Sequence, residues 1–186
     1  FADAVDVVTY EFENVPAATA AFLAARVPLH PGARALAVTQ DRLSEKRFVS
    51  GLGLAVAPFR AVDTLADLEA AAAELGRPSV LKTRRFGYDG KGQVKIAPGS
   101  DLAQAHDAIG RFPAILEGFV AFEREVSVIA ARGLDGSFAA FDVCENEHRD
   151  HILAYTRVPA NLSAGATLQA IDAARRIGEA LGYVGV

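Results

Sequence analysis

Three glycines and five basic side chains fall within the seventeen residues VLKTRRFGYDGKGQVKI, numbered 80–96. Glycine lets a backbone approach a ligand closely, and successive backbone N–H groups can form a concave binding site for phosphate. Lys82, Arg84, Arg85 and Lys91 would add positive charge to the same region. The composition is therefore typical of a phosphate-binding loop, although an exposed hairpin with solvated charges is the simpler interpretation of the loop taken alone.

The loop does not match the common phosphate-binding motifs. It lacks Gly-x-x-x-x-Gly-Lys-Ser/Thr, and the residues after it are predicted to form a strand, not a helix. A dinucleotide-binding fingerprint is excluded for the same reason. What is predicted is a glycine-rich loop that connects two strands.

Two carboxylates follow eight residues apart, Glu117 at the end of a predicted strand and Glu125 at the start of the next. A connector between them could offer backbone groups to the edge of an adenine ring, and a carboxylate could accept hydrogen bonds from ribose hydroxyls. Two surface carboxylates are the alternative interpretation.

A second polar cluster, ENEHRDHIL, places His148 and His151 among acidic residues. Histidine and carboxylate side chains are metal ligands, but this cluster lacks a standard zinc spacing such as His-Glu-x-x-His. We therefore interpret it as a polar loop that follows a strand.

Hydrophobic periodicity predicts the elements that must position these residues. The helix over 64–78 is the clearest, with Leu65, Leu68 and Leu75 on one face and Thr64 as its cap. The order of elements predicts an α+β fold, with a small unit at about 55–117 that could move as a lid. The predicted strands are 5–12, 56–62, 79–83, 92–97, 114–120, 124–133 and 138–145, and the predicted helices are 15–27, 39–53, 64–78, 100–112 and 166–182.

Composition excludes several classes of protein. A net charge of −4 disfavours nucleic-acid binding, and the single cysteine, Cys144, cannot form an internal disulfide. The longest apolar runs are too short for a membrane helix, and no secretory signal is visible. We expect a cytoplasmic protein that binds neither nucleic acid nor membrane.

The two ends of the sequence indicate a piece of a longer chain. No methionine occurs, the first residues already have the composition of a core strand, and the last residues follow a helix and begin another strand. We expect an internal fragment whose site is incomplete.

Six segments occur in an order that resembles the ATP-grasp enzyme family of 5-(carboxyamino)imidazole ribonucleotide synthase, the ATPase subunit of phosphoribosylaminoimidazole carboxylase. The resemblance covers essentially the whole chain, and GYDGKGQ is its most specific part. It implies an ATP-grasp fold over 39–186, in which two α+β subdomains sandwich ATP, preceded at 1–38 by the end of a Rossmann-like pre-ATP-grasp domain. The segments are TYEFENVP, QDRLSEKRF, VLKTRRFGYDGKGQ, ILEGFVAFEREVSVIAARGLDG, ENEHRDHIL and LGYVGV.

The resemblance also implies a reaction. The family uses ATP, magnesium and bicarbonate to carboxylate 5-aminoimidazole ribonucleotide through carboxyphosphate, releasing ADP and phosphate, in de novo purine (IMP) biosynthesis. It commonly forms homodimers. The family's magnesium-binding glutamate and an Asn-Glu pair are expected beyond Val186, so no metal ligand can be named in this chain, and the fragment alone is expected to be inactive.

The resemblance also implies roles for individual residues, at the positions of this sequence that match the family's motifs. Arg42 matches an ATP-contacting arginine, Lys82 the lysine that reaches the phosphates, and Glu125 the ribose-binding carboxylate. His148 matches a further nucleotide-site position with a catalytic role, and Tyr88 and Asp89 are candidates for contact with the imidazole ribonucleotide. The loop that closes over the phosphates comprises Gly87, Tyr88, Asp89, Gly90, Lys91, Gly92 and Gln93, and the adenine-binding connector comprises Glu117, Gly118, Phe119 and Val120.

Two alternatives remain open. The formate-dependent glycinamide ribonucleotide transformylase shares the expected architecture, although the Tyr-Asp pair in the loop favours the carboxylating family. A fragment that binds nucleotide without catalysing a reaction is the second alternative.

Overall fold

A computed structural model describes residues 1–88 and 90–186 and divides them into two compact units. Unit 1 comprises Phe1–Gln40, Arg124–Arg149 and Leu153–Val186, and unit 2 comprises Asp41–Glu123 and Asp150–Ile152. The helices are a 3-10 turn at Ala2–Ala4, α1 (Ala17–Ala24), α2 (Ala33–Thr39), α3 (Arg42–Gly51), α4 (Leu65–Leu75), α5 (Leu102–Ala108) and α6 (Ala164–Leu181). The strands are β1 (Val8–Thr9), β2 (Leu29–His30), β3 (Phe59–Val62), β4 (Ser79–Thr83), β5 (Gln93–Ile96), β6 (Ala114–Gly118), β7 (Glu125–Ser127), β8 (Ala130–Arg132), β9 (Phe138–Ala140), β10 (Cys144–Arg149) and β11 (Ile152–Arg157).

Unit 2 is built on a four-stranded antiparallel sheet in the order β3-β6-β4-β5. The helix α4 packs on β3 and β6, and α5 packs on β5. Leu68, Leu81, Ile96 and Leu116 are fully buried between the helices and the sheet. The predicted α4 is confirmed, because Thr64 caps it in a reciprocal capping box with Asp67.

Unit 1 contains three small sheets. The parallel strands β1 and β2 pack with α1 and α2 around Val8, Ala20, Val27, Leu29 and Leu36. The strands β7, β10 and β11 form a second sheet in the order β11-β10-β7, and β8 pairs with β9 in a third. The amphipathic helix predicted at 166–182 is present as α6. No helix in residues 1–88 and 90–186 is long and apolar enough to cross a membrane.

The structure corrects several predicted elements of unit 1. The predicted strand 124–133 is divided, because β7 pairs with β10 whereas β8 pairs with β9. The predicted strand 138–145 is also divided, since β9 ends at Ala140 and β10 begins at Cys144. The ENEHR segment is a strand, not a polar loop, and α2 was not predicted.

Asp41 joins α3 to the strand that leads into the glycine loop. One carboxylate oxygen of Asp41 accepts hydrogen bonds from the amides of Leu43 and Ser44, and the other accepts from Arg84 Nε at 2.9 Å. Burial alone would raise the pKa of Asp41, but the hydrogen bonds from Arg84, Ser44 and Leu43 and the charge of Arg84 outweigh it and lower the pKa below its usual value.

This ion pair predicts a specific dependence of stability on pH. A lowered pKa in the folded state stabilises the fold above the unfolded pKa, near pH 4, and the contribution is lost as pH falls through the folded pKa. Asp41→Asn keeps an acceptor for the helix cap but removes this charge. We expect it to lower the free energy of unfolding by about 1 kcal/mol at neutral pH, since the pair is partly solvated.

Urea unfolding from pH 7 to pH 2.5 tests the prediction. The loss of stability below pH 4 should be smaller in Asp41→Asn than in the wild type. The control is Asp63→Asn, because the Asp63 side chain is 62% exposed and lies 3.9 Å from Arg84. Equal acid slopes in the wild type and Asp41→Asn would contradict the assignment.

Candidate functional site

A buried carboxylate in the sheet of unit 2 binds two lysines. Glu117 lies near the end of β6 and is 7% exposed. Its Oε2 is 2.9 Å from Lys82 Nζ, and its Oε1 is 3.4 Å from Lys46 Nζ. Lys82 comes from the neighbouring strand β4, where it faces the same side of the sheet as Glu117, and Lys46 comes from α3. The structure thus brings together two predicted site residues, Lys82 and Glu117, and adds Lys46.

Arg42, the first residue of α3, holds the start of the glycine loop. Its NH1 donates to the carbonyl oxygen of Thr83 at 2.8 Å, and its NH2 donates to that of Gly87 at 3.0 Å. A Cβ added at Gly87 would lie 2.9 Å from Arg42 NH1, so glycine permits this approach. The predicted ATP-contacting arginine therefore contacts the backbone of the predicted phosphate-binding loop.

The loop itself is closed by backbone hydrogen bonds at its base. The amide of Thr83 donates to the carbonyl of Gly92 at 2.8 Å, and the amide of Lys91 donates to that of Tyr88 at 2.7 Å. Lys91 Nζ also donates to the Tyr88 hydroxyl at 3.0 Å and lies 4.5 Å from the centre of its ring. Asp89, the other predicted ribonucleotide contact, lies outside the described residues.

Gly92 is required by both its backbone conformation and its surroundings. It has φ +69°, and a Cβ there would lie 2.6 Å from Thr83 Oγ1. A Cβ at Gly90 would lie 2.8 Å from His151 Cδ2. The next residue of the loop segment, Gln93, begins β5 with its side-chain amide 3.5 Å from His151 Nδ1. These contacts leave little room for side chains at the two glycines.

The predicted adenine connector begins inside the sheet and ends at the surface. The amide of Gly118 donates to Pro58 at 2.8 Å, and that of Phe119 donates to Pro78 at 3.3 Å. Phe119 and Val120 are 47% and 49% exposed. Lys95 Nζ lies 4.8 Å from the centre of the Phe119 ring. The connector thus combines a buried carboxylate with apolar side chains that face outward.

The predicted site residues of unit 1 form a separate pair. Glu125 begins β7, His148 lies on β10, and Glu125 Oε2 is 2.8 Å from His148 Nδ1. An ionised carboxylate can only accept, so Nδ1 donates in this pair. The neighbouring acidic residues take part in ion pairs of their own, Glu145 with Arg124 and Glu147 with Arg149.

One cavity of unit 2 borders the Asp41–Arg84 pair. Its volume is about 790 Å³, and its lining includes Thr83, Phe86, Ile109 and Phe112. Thr83 faces the opposite side of β4 from Lys82, because side chains alternate along a strand. Neither Lys82 nor Glu117 lines the cavity, so we do not assign nucleotide binding to it.

The sequence prediction missed Lys46 and Asp41 as parts of this arrangement, and it named Arg84 only as positive charge near the loop, not as the partner of Asp41. A signal for Lys46 is present, because it lies four residues after Arg42 and therefore on the same side of α3. Its carboxylate partner is 71 residues away in sequence and could be identified only from the strand pairing.

Two protein families match the sequence. The family described as ATP-grasp domain matches residues 47–186, and the family described as ribonucleotide synthetase preATP-grasp domain matches residues 1–40. The N5-carboxyaminoimidazole ribonucleotide synthase of Brucella melitensis is 50% identical over 187 aligned residues, which cover 100% of this chain and 52% of that protein.

Solved structures of the same kind of enzyme share the fold. The ADP complex of an N5-carboxyaminoimidazole ribonucleotide synthetase superposes with a TM-score of 0.93 at 41% identity, covering 99% of this chain and 49% of that one. The Aspergillus clavatus enzyme in complex with ADP and 5-aminoimidazole ribonucleotide gives a TM-score of 0.87 at 25% identity, covering 99% and 48%.

These similarities confirm the resemblance found in the sequence and the predicted α+β fold. The chain spans about half the length of the curated relatives it matches. Because the ATP-grasp match extends over most of its length, the chain belongs to the ATP-grasp family.

Proposed function

We propose that the complete protein carboxylates 5-aminoimidazole ribonucleotide, using ATP and bicarbonate, in purine biosynthesis. The observation that carries the proposal is the 50% identity to an N5-carboxyaminoimidazole ribonucleotide synthase over the whole of this chain. A bicarbonate oxygen attacks the terminal phosphorus of ATP, and ADP leaves. The exocyclic nitrogen of the ribonucleotide then attacks the carboxyl carbon of carboxyphosphate, phosphate leaves, and the nitrogen loses a proton.

Within unit 2, we assign phosphate binding to Lys82 and to the glycine loop. The ammonium of Lys82 would balance negative charge on the phosphates, and backbone N–H groups of the loop would donate to their oxygens. Arg42, which bonds the Thr83 and Gly87 carbonyls, would keep the loop in place while it does so. Closure of such a loop would exclude water from carboxyphosphate, which water hydrolyses.

We assign contact with the ribonucleotide to Tyr88 and Asp89, and contact with the adenine ring to the connector from Glu117 to Val120. Glu125 is proposed as the acceptor for ribose hydroxyls and His148 as a further nucleotide contact. The domain boundary near residue 38 and the homodimer remain predictions of the family resemblance. The lid at about 55–117 remains a prediction from the order of elements, and the cytoplasmic location remains a prediction from composition.

The family reaction also requires magnesium. Among residues 1–88 and 90–186, no three histidine, cysteine or carboxylate side chains are grouped closely enough to hold a metal ion. We therefore assign no step of the reaction to a metal bound by these residues.

Release of ADP by the complete protein tests the proposed function. We expect release that depends on both 5-aminoimidazole ribonucleotide and bicarbonate. Release that depends on formate and glycinamide ribonucleotide would indicate the transformylase instead. ATP binding without ADP release under either condition would indicate a nucleotide-binding protein and contradict the proposal.

Lys82→Ala should weaken ATP binding by about tenfold or more, because a hydrogen bond to a charged group contributes roughly 1.5–3 kcal/mol. Isothermal titration calorimetry on the complete protein measures the effect. Arg60→Ala is the control, since Arg60 is an exposed cation of the same unit that pairs with Glu74. An unchanged dissociation constant in Lys82→Ala would remove Lys82 from the site.

Gly92→Ala should lower both stability and turnover. A left-handed backbone conformation costs a non-glycine residue about 1–2 kcal/mol, and the added methyl would also displace Thr83 or the loop. Gly99→Ala is a matched control, because Gly99 has φ +83° with nothing within 4 Å of an added Cβ. Both variants should melt at lower temperature, but only Gly92→Ala should slow ADP release. Equal turnover in the two variants would show that the loop has no role in the reaction.

A further inference from the structure

The carboxylate of Glu117 is shared by two lysines, one on each oxygen. Lys82 Nζ lies 2.9 Å from Oε2, and Lys46 Nζ lies 3.4 Å from Oε1. The Glu117 side chain is 9% exposed, whereas those of Lys46 and Lys82 are 22% and 27% exposed. Two cations therefore meet one largely buried anion, and the group of three carries a net positive charge.

The proposed function assigns a second partner to Lys82. In the proposed function its ammonium binds the phosphates of ATP. In the structure, the same ammonium is the closer of the two cations that neutralise Glu117. A buried carboxylate that loses its counter-ion is costly, because neither water nor another charge compensates it. Movement of Lys82 toward phosphate would therefore be opposed unless another cation remained at Glu117.

Lys46 is placed to be that cation. It comes from α3, whose first residue, Arg42, is held by the Thr83 and Gly87 carbonyls. Lys46 therefore belongs to a different element from Lys82, and it reaches the carboxylate oxygen that Lys82 does not. No role in the proposed reaction has been assigned to it.

We propose that Lys46 is a positioning residue that remains paired with Glu117 and so releases Lys82 to bind phosphate. The inference rests on the proposed function, because it takes the ligand to be a nucleoside phosphate. Lys46 acts on the phosphates only through Glu117 and Lys82. Its removal should hold Lys82 at Glu117 and weaken the binding of phosphate-bearing ligands selectively.

The alternative is a structural role, in which Lys46 only fastens α3 to β6. If the role is structural, loss of Lys46 should weaken the binding of adenosine and of ATP equally, because both ligands need the connector that follows Glu117. In the role proposed here, loss of Lys46 should weaken the binding of ATP and ADP but not of adenosine, since adenosine has no phosphate to attract Lys82. The ratio of ATP affinity to adenosine affinity separates the two.

The experiment is calorimetric titration of the complete protein with ATP, ADP and adenosine. We expect Lys46→Met to weaken ATP and ADP binding by about tenfold, which corresponds to ~1.4 kcal/mol, and to leave adenosine binding within about twofold of the wild type. Lys46→Arg, which keeps the charge, should restore most of the ATP affinity. Arg47→Met is the matched control, because it removes one exposed cation from the next position of the same helix.

The outcomes distinguish failure of the proposed function from failure of this inference. If the wild type binds neither ATP nor ADP, the proposed function is contradicted, and this inference is contradicted with it. If the wild type binds ATP and Lys46→Met behaves like Arg47→Met, only the inference fails. Equal losses of ATP affinity and adenosine affinity in Lys46→Met would also overturn the inference, in favour of the structural role.

A double variant covers the case in which Lys46→Met does not fold. Lys46→Met with Glu117→Gln removes the buried charge together with its counter-ion, so the double variant should fold. It should also have a ratio of ATP to adenosine affinity close to that of Glu117→Gln alone. The role of Lys46 as counter-ion would be contradicted by a double variant that remains unfolded. It would also be contradicted by a double variant whose ratio of ATP affinity to adenosine affinity is lower than that of Glu117→Gln.

Discussion

The carboxylate of Glu117, inside the sheet of unit 2, must be neutralised, and the ion pairs that neutralise it hold together most of the candidate site in this unit. Glu117 lies on β6, and its two cations come from α3 and β4, so a single buried charge ties a helix to two strands. The segment that carries Lys46 begins with Asp41 and Arg42, which bond Arg84 and the loop carbonyls. One short helix thus fixes both the counter-ion of the carboxylate and the base of the glycine loop.

The contacts of Arg42 refine the role implied by the family resemblance. A guanidinium has five N–H donors in a rigid plane, and two of them bond the carbonyls of Thr83 and Gly87. These bonds give the side chain an orientation before any ligand binds. A glycine-rich loop can bind phosphate through its amides only if its base is held, because glycine itself restricts the backbone little. Arg42 supplies that restriction.

The sequence predicts those features that depend on local patterns. The helix α4, with its cap at Thr64, and the glycine loop between β4 and β5 follow from spacing over a few residues. The division of 124–133 into two strands does not, because it results from pairing with β9 and β10 farther along the chain. The Lys46–Glu117 pair was missed for the same reason. The residue types already suggested positive charge at Lys82 and an acceptor for ribose at one of the two carboxylates. The assignment of Lys82 to the phosphates and of Glu125 to the ribose came from the family resemblance.

The polar strand β10 shows how a segment with few apolar residues can still form part of a sheet. Glu145 pairs with Arg124, Glu147 with Arg149 and Arg157, and His148 with Glu125. Glu147 and Arg149 lie on the same strand, but the other pairs join β10 to neighbouring segments. Side-chain pairs across strands stabilise such a sheet where hydrophobic contacts are few. The same pairing has a chemical consequence, because Nδ1 of His148 donates to Glu125 and a neutral ring then has Nε2 as its acceptor. Under the nucleotide contact proposed for His148, the same interaction would therefore also set the tautomer and the orientation of the ring.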